Sequence, residues 1–313
     1  MKIWRLIKPF RRRLTYAGLL SSISLIMAVG LLGVSAWLIS MASTKPPILV
    51  LQVAIVAVRF FGLGRGVFKY FSRILEHDAA LRIQNLLRVS IYQKLERYLP
   101  AHFAKLKRGS MLRQVVNETE EIQDLWLRLF LPWVSSIIAG VAGISIIMWL
   151  LPQAAFFIFI LFVLAIVIIT FISAVSSARV NYRPVADAIF NQVMQSCDAA
   201  KEAQVFGFDS NLKSEINNAQ MQLDAIDKKE SKTAGIGSAL LFIFTGAAVI
   251  TGFWQAATAY ADGNLAGINV AVVTLLPLVI FDNLSVISTA FAKLRPIMQA
   301  IDNLNSLLSQ SDV

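Results

Sequence analysis

Six stretches of this chain are apolar for about twenty residues or more, the length a helix rising 1.5 Å per residue needs to cross a hydrocarbon core about 30 Å thick. They occupy residues 14–41, 47–70, 125–150, 154–175, 234–260 and 265–291. Lipid offers no hydrogen bonds, so each stretch must satisfy its own backbone and reads as a helix. The expected fold is an all-α membrane protein with six transmembrane helices. Pro277 falls inside the sixth span and is expected to kink it. Pro46-Pro47, Pro152 and Asp262-Gly263-Asn264 punctuate the three short connections, so the spans pair as hairpins.

Composition agrees. Hydrophobic residues make up 57% of the chain and charged residues 15%, against roughly 45–50% apolar in a soluble domain. A net charge of +10 suits either nucleic acid or anionic lipid. The basic residues lie between long apolar runs rather than along one face, which selects membrane lipid and excludes nucleic acid as a partner. The single cysteine, Cys197, leaves no internal disulfide framework and no multi-cysteine zinc site, and is expected to be a small buried hydrophobe.

The other two connections differ in kind. Residues 71–124 and 176–233 are 54 and 58 mostly polar positions with helical periodicity and few glycines or prolines. Lys and Arg sort with them: six in the N-terminal tail, nine over 73–113 and seven over 179–232, whereas the three short connections together hold only Lys45. The bias of such residues toward the cytoplasm puts both termini and both long connections inside. As helices running out and back, the long connections reach roughly 35–40 Å beyond the bilayer. Their tips are candidates for transmitting force to a partner: Glu118 and Glu120 near the first, Phe206 and Phe208 around Gly207 near the second. The N-terminus shows no cleavable signal and reads as leading into a retained first span.

No G-x-x-x-x-G-K-[ST] loop occurs, and no Ser/His/Asp set, HExxH or carboxylate dyad, which argues against a hydrolytic enzyme in this chain. Charged residues inside spans are therefore the informative ones, since a cation there costs about 2.5–3.5 kcal/mol on insertion scales. Arg59 and Arg65 lie within the second span and are candidates to line a path for an anionic substrate. Their six-residue separation sets them about 120° apart around the helix. Asp282, the one acidic residue well inside a span, is a candidate partner for either. Gly62, Gly64 and Gly66 read as small residues for close helix packing. Arg73 and His77, four apart, project from one face just beyond the same span. His102, in a basic loop, reads as solvated.

Three segments carry a family resemblance: GLLGVSAWLIS at 30–40, VAVRFFGLGRGVFKY at 56–70 and SRILEHDAALR at 72–82. Together they resemble the CydDC family of heterodimeric ABC exporters, on its CydC side and nearest its actinobacterial members. The resemblance runs over nearly the whole chain and is densest over 30–128. It implies that residues 1–313 form an ABC exporter transmembrane domain with two long cytoplasmic helical hairpins, in the bacterial inner membrane. It implies pairing with a CydD-like subunit and with nucleotide-binding domains that bind ATP. In the family such a domain follows shortly after the sequence matching Lys293-Leu294-Arg295-Pro296, so the ATPase is expected on a longer chain or on a separate polypeptide.

The implied activity is ATP-driven export of cysteine or glutathione, with haem as competing cargo, in support of cytochrome bd assembly. Family members bind haem b through the histidine of a His-Asp motif, with an arginine one turn earlier beside the propionates; His77 and Arg73 match those positions. Glu76 stands where the family commonly has serine. Two other readings remain open: a non-transporting haem-binding or regulatory membrane subunit, and an exporter of lipid or peptide without haem.

Overall fold

The computed structural model describes residues 8–102, 120, 125–179, 189, 193, 194, 196, 197, 205, 209–286, 297–299 and 301. After a short 3-10 turn at Lys8–Phe10 come α1 (Arg11–Ser43), α2 (Ile48–His102), α3 (Leu131–Leu150), α4 (Pro152–Arg179), α5 (Asp209–Ala261) and α6 (Gly267–Asp282). A six-residue π-helix, Leu125–Phe130, leads into α3. The described residues contain no strand. Five of the helices are long and apolar enough to cross a membrane, and α6 is a shorter apolar helix. The fold is an all-α membrane domain.

Each short connection stops a helix by the chemistry of its own residues. Between α1 and α2, Thr44 and Lys45 donate backbone N–H groups to the carbonyls of Met41 (3.1 Å) and Ala42 (3.0 Å), and Lys45 takes a left-handed φ of 53° ahead of two prolines. Leu151 is extended (φ −152°) where α3 ends, and α4 starts on Pro152, whose missing N–H would have no partner there. After α5, Gly263 at φ 75° turns the chain so that the N–H of Asn264 reaches the Ala259 carbonyl at 2.8 Å and its own N–H the Tyr260 carbonyl at 3.0 Å, a Schellman cap for the last turn.

The long connections leave the spans as continuous helix: α2 extends to His102, and α5 begins at Asp209, well before its apolar part. The tip residues Glu118, Phe206 and Phe208 lie outside the described residues, as does the His102 side chain. Cys197 is exposed, contrary to the buried position expected; its neighbour Ser196 is buried instead, since one residue along a helix turns the side chain by about 100°.

Helix α1 is the hub and packs against α2, α3 and α6; α4 packs on α5, and α5 on α6. Val29 and Ala36 of α1, Ile147 of α3, Ile158 and Phe162 of α4, Ala248 of α5 and Leu276 and Phe281 of α6 form one buried cluster. The Phe162 and Phe281 rings meet edge to face with centroids 5.9 Å apart. Lipid tails are as apolar as this core, so close fit rather than water exclusion must hold it.

Small residues supply the fit. A Cβ at Gly30 would lie 2.7 Å from the Phe61 ring, and one at Gly143 would lie 2.6 Å from Ile280. At Gly252 it would stand 3.0 Å from the Val273 carbonyl oxygen, the acceptor that Pro277, lacking an N–H, leaves unbonded four residues on. Gly64 faces Met27 of α1 at 3.4 Å, as a packing role requires, whereas a Cβ at Gly66 would meet open space. Replacing Gly143 by Val should lower the stability of the detergent-solubilised domain by about 1–3 kcal/mol through overpacking. Gly246→Ala, where a Cβ meets nothing within 4 Å, should leave thermal unfolding within about 0.5 kcal/mol of the parent.

Candidate functional site

Helix α2 leans on α1 and meets the other spans only marginally. On the rest of its circumference stand Arg59, Arg65, Lys69, Arg73 and His77, all exposed. Arg65, Lys69, Arg73 and His77 follow one another at four-residue steps, a ladder on one slowly turning face. Arg59 lies eighteen residues before His77, five full turns, and so shares its azimuth. The spanning part of α2 takes about twenty residues from Ile48, so Arg59 and Arg65 sit at hydrocarbon depth and Lys69 at its edge.

None of these cations forms an ion pair with a described residue. The nearby carboxylates are engaged elsewhere. Half-buried Glu76 accepts a hydrogen bond from Ser72 Oγ at 2.6 Å. Asp78 receives Arg82 Nε at 2.8 Å and the Arg13 guanidinium of α1. The Arg82 hydrogen bond, with the positive charges of Arg82 and Arg13, outweighs partial desolvation and holds the Asp78 carboxyl below its ordinary range. Asp78 is some eight residues past the span, outside the hydrocarbon, and is ionised at neutral pH.

A row of cations without counter-charges cannot face lipid at the cost given above. That face of α2 must border water, an anion or a polar surface. The row is suited to hold carboxylates, which guanidinium groups grip through paired hydrogen bonds. Asp282, expected to pair with Arg59 or Arg65, is exposed at the end of α6 and forms no ion pair with either; α6 packs on α1, α3 and α5 rather than on α2.

His77 and Arg73 are brought together as their spacing requires, one turn apart and exposed. The described residues contain no group of three or more metal-ligating side chains. A haem iron, however, needs from the protein only an axial base such as an accessible imidazole, and the donor set of His77 with a cation one turn away fits that demand. Glu120, on the return of the first long connection, accepts from Gln84 Nε2 at 3.4 Å and stands 3.6 Å from Arg88 Nη2, which brings it against the extension of α2.

Two features of the site escape a reading along the chain. Lys69 completes the ladder, a pattern visible at four-residue spacing once the helix is known to continue. The Arg13–Asp78 contact joins residues 65 apart, and no local signal marks it.

A family model for the ABC transporter transmembrane region matches residues 14–284. The glutathione/L-cysteine transport system ATP-binding/permease protein CydC of Escherichia coli (strain K12) is 24% identical over 313 residues, covering 97% of this chain and 54% of that protein. Its namesake from Haemophilus influenzae is 24% identical over 81% of the chain and 45% of the relative. CydD of Bacillus subtilis (strain 168) is 34% identical over 120 residues, 38% of this chain and 21% of that protein. The chain thus spans about half the length of the curated CydC relatives it matches. With the family model reaching from the start of α1 to just beyond α6, the chain belongs to the ABC transporter transmembrane-region family and is homologous to the CydC and CydD permeases.

Proposed function

We propose that this chain is the membrane-spanning part of an ATP-driven exporter of small anionic thiols, cysteine or glutathione, in the bacterial inner membrane. The observation that carries the reading is the cation row on α2: Arg59, Arg65, Lys69 and Arg73 are exposed, with no counter-charge among the described residues, at and below hydrocarbon depth. A thiol peptide brings carboxylates, and a cation row in a low-dielectric wall draws them in and orders them. The relatives' printed names supply the substrate class.

The exposed face of α2 is taken as the wall of a path shared with a CydD-like subunit. Asp282, exposed at the end of α6, is assigned to the same path. Nucleotide-binding domains carry the ATP and meet the tips of the two cytoplasmic hairpins, at Glu118 on the first and Phe206 and Phe208 on the second; Glu120, expected at the first tip, instead stands back from the end of α2 beside Gln84 and Arg88. Both termini and both hairpins are placed on the cytoplasmic side by the distribution of Lys and Arg.

Haem b is assigned to His77 and Arg73, a role that ties the transporter to cytochrome bd assembly. The support is the exposed imidazole with a guanidinium one turn away: His77 would offer its ring nitrogen to the iron, and Arg73 would hold a propionate. Bound there, the group would supply redox chemistry or travel as cargo.

Two measurements test these assignments in the full assembled transporter. Arg65→Gln in inverted vesicles should raise the half-saturating concentration for glutathione by about tenfold, the weight of one lost charge-assisted hydrogen bond; an unchanged value removes the cation row from the thiol path. Titration with hemin should give a Soret band that disappears in His77→Ala and survives in His102→Ala. A band that survives His77→Ala overturns the haem assignment.

A further inference from the structure

Among the described spans α2 packs chiefly on α1; apolar fit at Gly30 and Gly64 sets their spacing, and polar contacts between the two add to what fixes the roll of α2. Among the described residues three polar contacts cross between the two helices. Ser24 Oγ donates to the Arg65 carbonyl at 2.9 Å, a single neutral bond between them. Ser72 Oγ lies 3.3 Å from the Ala17 carbonyl and 2.6 Å from Glu76 Oε1. A hydroxyl has one proton to give, and the shorter bond to a carboxylate takes it, which leaves the cross-helix contact weak.

The third contact is of another kind. Arg13 of α1 reaches the Asp78 carboxylate, and Arg82 one turn further along α2 holds the other carboxylate oxygen at 2.8 Å. Each oxygen has its own guanidinium, so the carboxylate is fixed in rotamer as well as in partner. Among the described residues it is the one side-chain ion pair between α1 and α2. Asp78 directly follows His77, about 100° around the helix, and Ala79 and Ala80 beyond it are fully buried. Turning Asp78 toward α1 therefore turns His77, and Arg73 above it, away.

We infer that the Arg13–Asp78–Arg82 clasp is the positioning device of the cation row: it sets the roll of α2 and thereby the outward aim of Arg73 and His77. The inference rests on the reading of that row as the binding face, but the clasp is testable without any ligand. It assigns to Asp78 a part that neither thiol nor haem binding requires it to touch.

The test is thiol alkylation by a membrane-impermeant maleimide on the full assembled transporter, in a Cys197→Ser background. Single reporters are introduced as His77→Cys, on the exposed face, and Ala80→Cys, on the buried one. With the clasp intact the first reacts and the second is protected. Asp78→Ala should lower the ratio of the two rates by about threefold, in keeping with a partly exposed ion pair. Arg13→Ala should do the same while leaving the Asp78–Arg82 pair in place, and reads the outcome should Asp78→Ala misfold. The double exchange Arg13→Asp/Asp78→Arg should restore the ratio, which loss of fold alone would not allow. Ratios unchanged in both Asp78→Ala and Arg13→Ala overturn the clasp. Because alkylation needs neither thiol nor haem, an altered ratio beside failed glutathione and hemin assays would sink the site and keep the clasp. An unchanged ratio beside intact assays would do the reverse.

Discussion

The inability of hydrocarbon to solvate charge organises this molecule. It forces the backbone into helices, since each carbonyl and amide must be met within its own segment, and it makes every cation at membrane depth a commitment to water or to a partner. Four cations on one face of α2 cannot be an accident of composition in a chain only 15% charged. The acidic residues nearby could have neutralised them, yet Glu76 and Asp78 are turned to Ser72, Arg13 and Arg82. Among the described residues the positive potential of the row is thus left unneutralised.

The same solvent removes the ordinary driving force for packing, because a leucine gains little by leaving lipid for protein. What replaces it is proximity. Glycines at 18, 30, 143 and 252 bring helices within contact of neighbouring side chains or backbone, and buried serines add hydrogen bonds across the interfaces. Ser135 Oγ lies 3.4 Å from the Gly18 carbonyl, and Ser136 Oγ donates to the Asn283 carbonyl at 2.7 Å. The serines tie α3 to α1 and to the end of α6, where the helix breaks. This division leaves α2 apart: among the described helices it packs chiefly on α1, with polar contacts added to the apolar fit.

Much of this was legible along the chain because the governing terms are local. Twenty apolar residues, a proline pair, or a glycine after an aromatic helix end each act within a few positions, and the helices and turns fall where those signals stand. The four-residue spacing of Arg73 and His77 likewise survives, since a continuous helix conserves it. Asp282 illustrates the opposite case. Being the one acid in a span made it an attractive partner for Arg59 and Arg65, but which helices touch is a property of the packed bundle, and α6 lies against α1, α3 and α5. Cys197 turned out exposed for a smaller reason, a rotation of one residue. The partner of Asp78 lies 65 residues away, beyond the reach of any local signal.

The length of α2 gives the clasp its leverage. The helix runs 55 residues from Ile48 to His102, about 80 Å at helical rise, and no glycine or proline interrupts positions 67 to 99. A helix without such breaks bends only gently, so a displacement at its far end reaches the cation row as a tilt or a roll rather than being absorbed on the way. Asp78 sits between the row and the arm, and Arg88 with Glu120 binds the arm to the returning chain further out. Rolling α2 carries Arg59 and His77 together, since five whole turns separate them and they share one azimuth. One contact at the root of the arm therefore governs the aim of charges almost 30 Å apart along the axis, and a change at the arm that loosened it would turn the whole row at once.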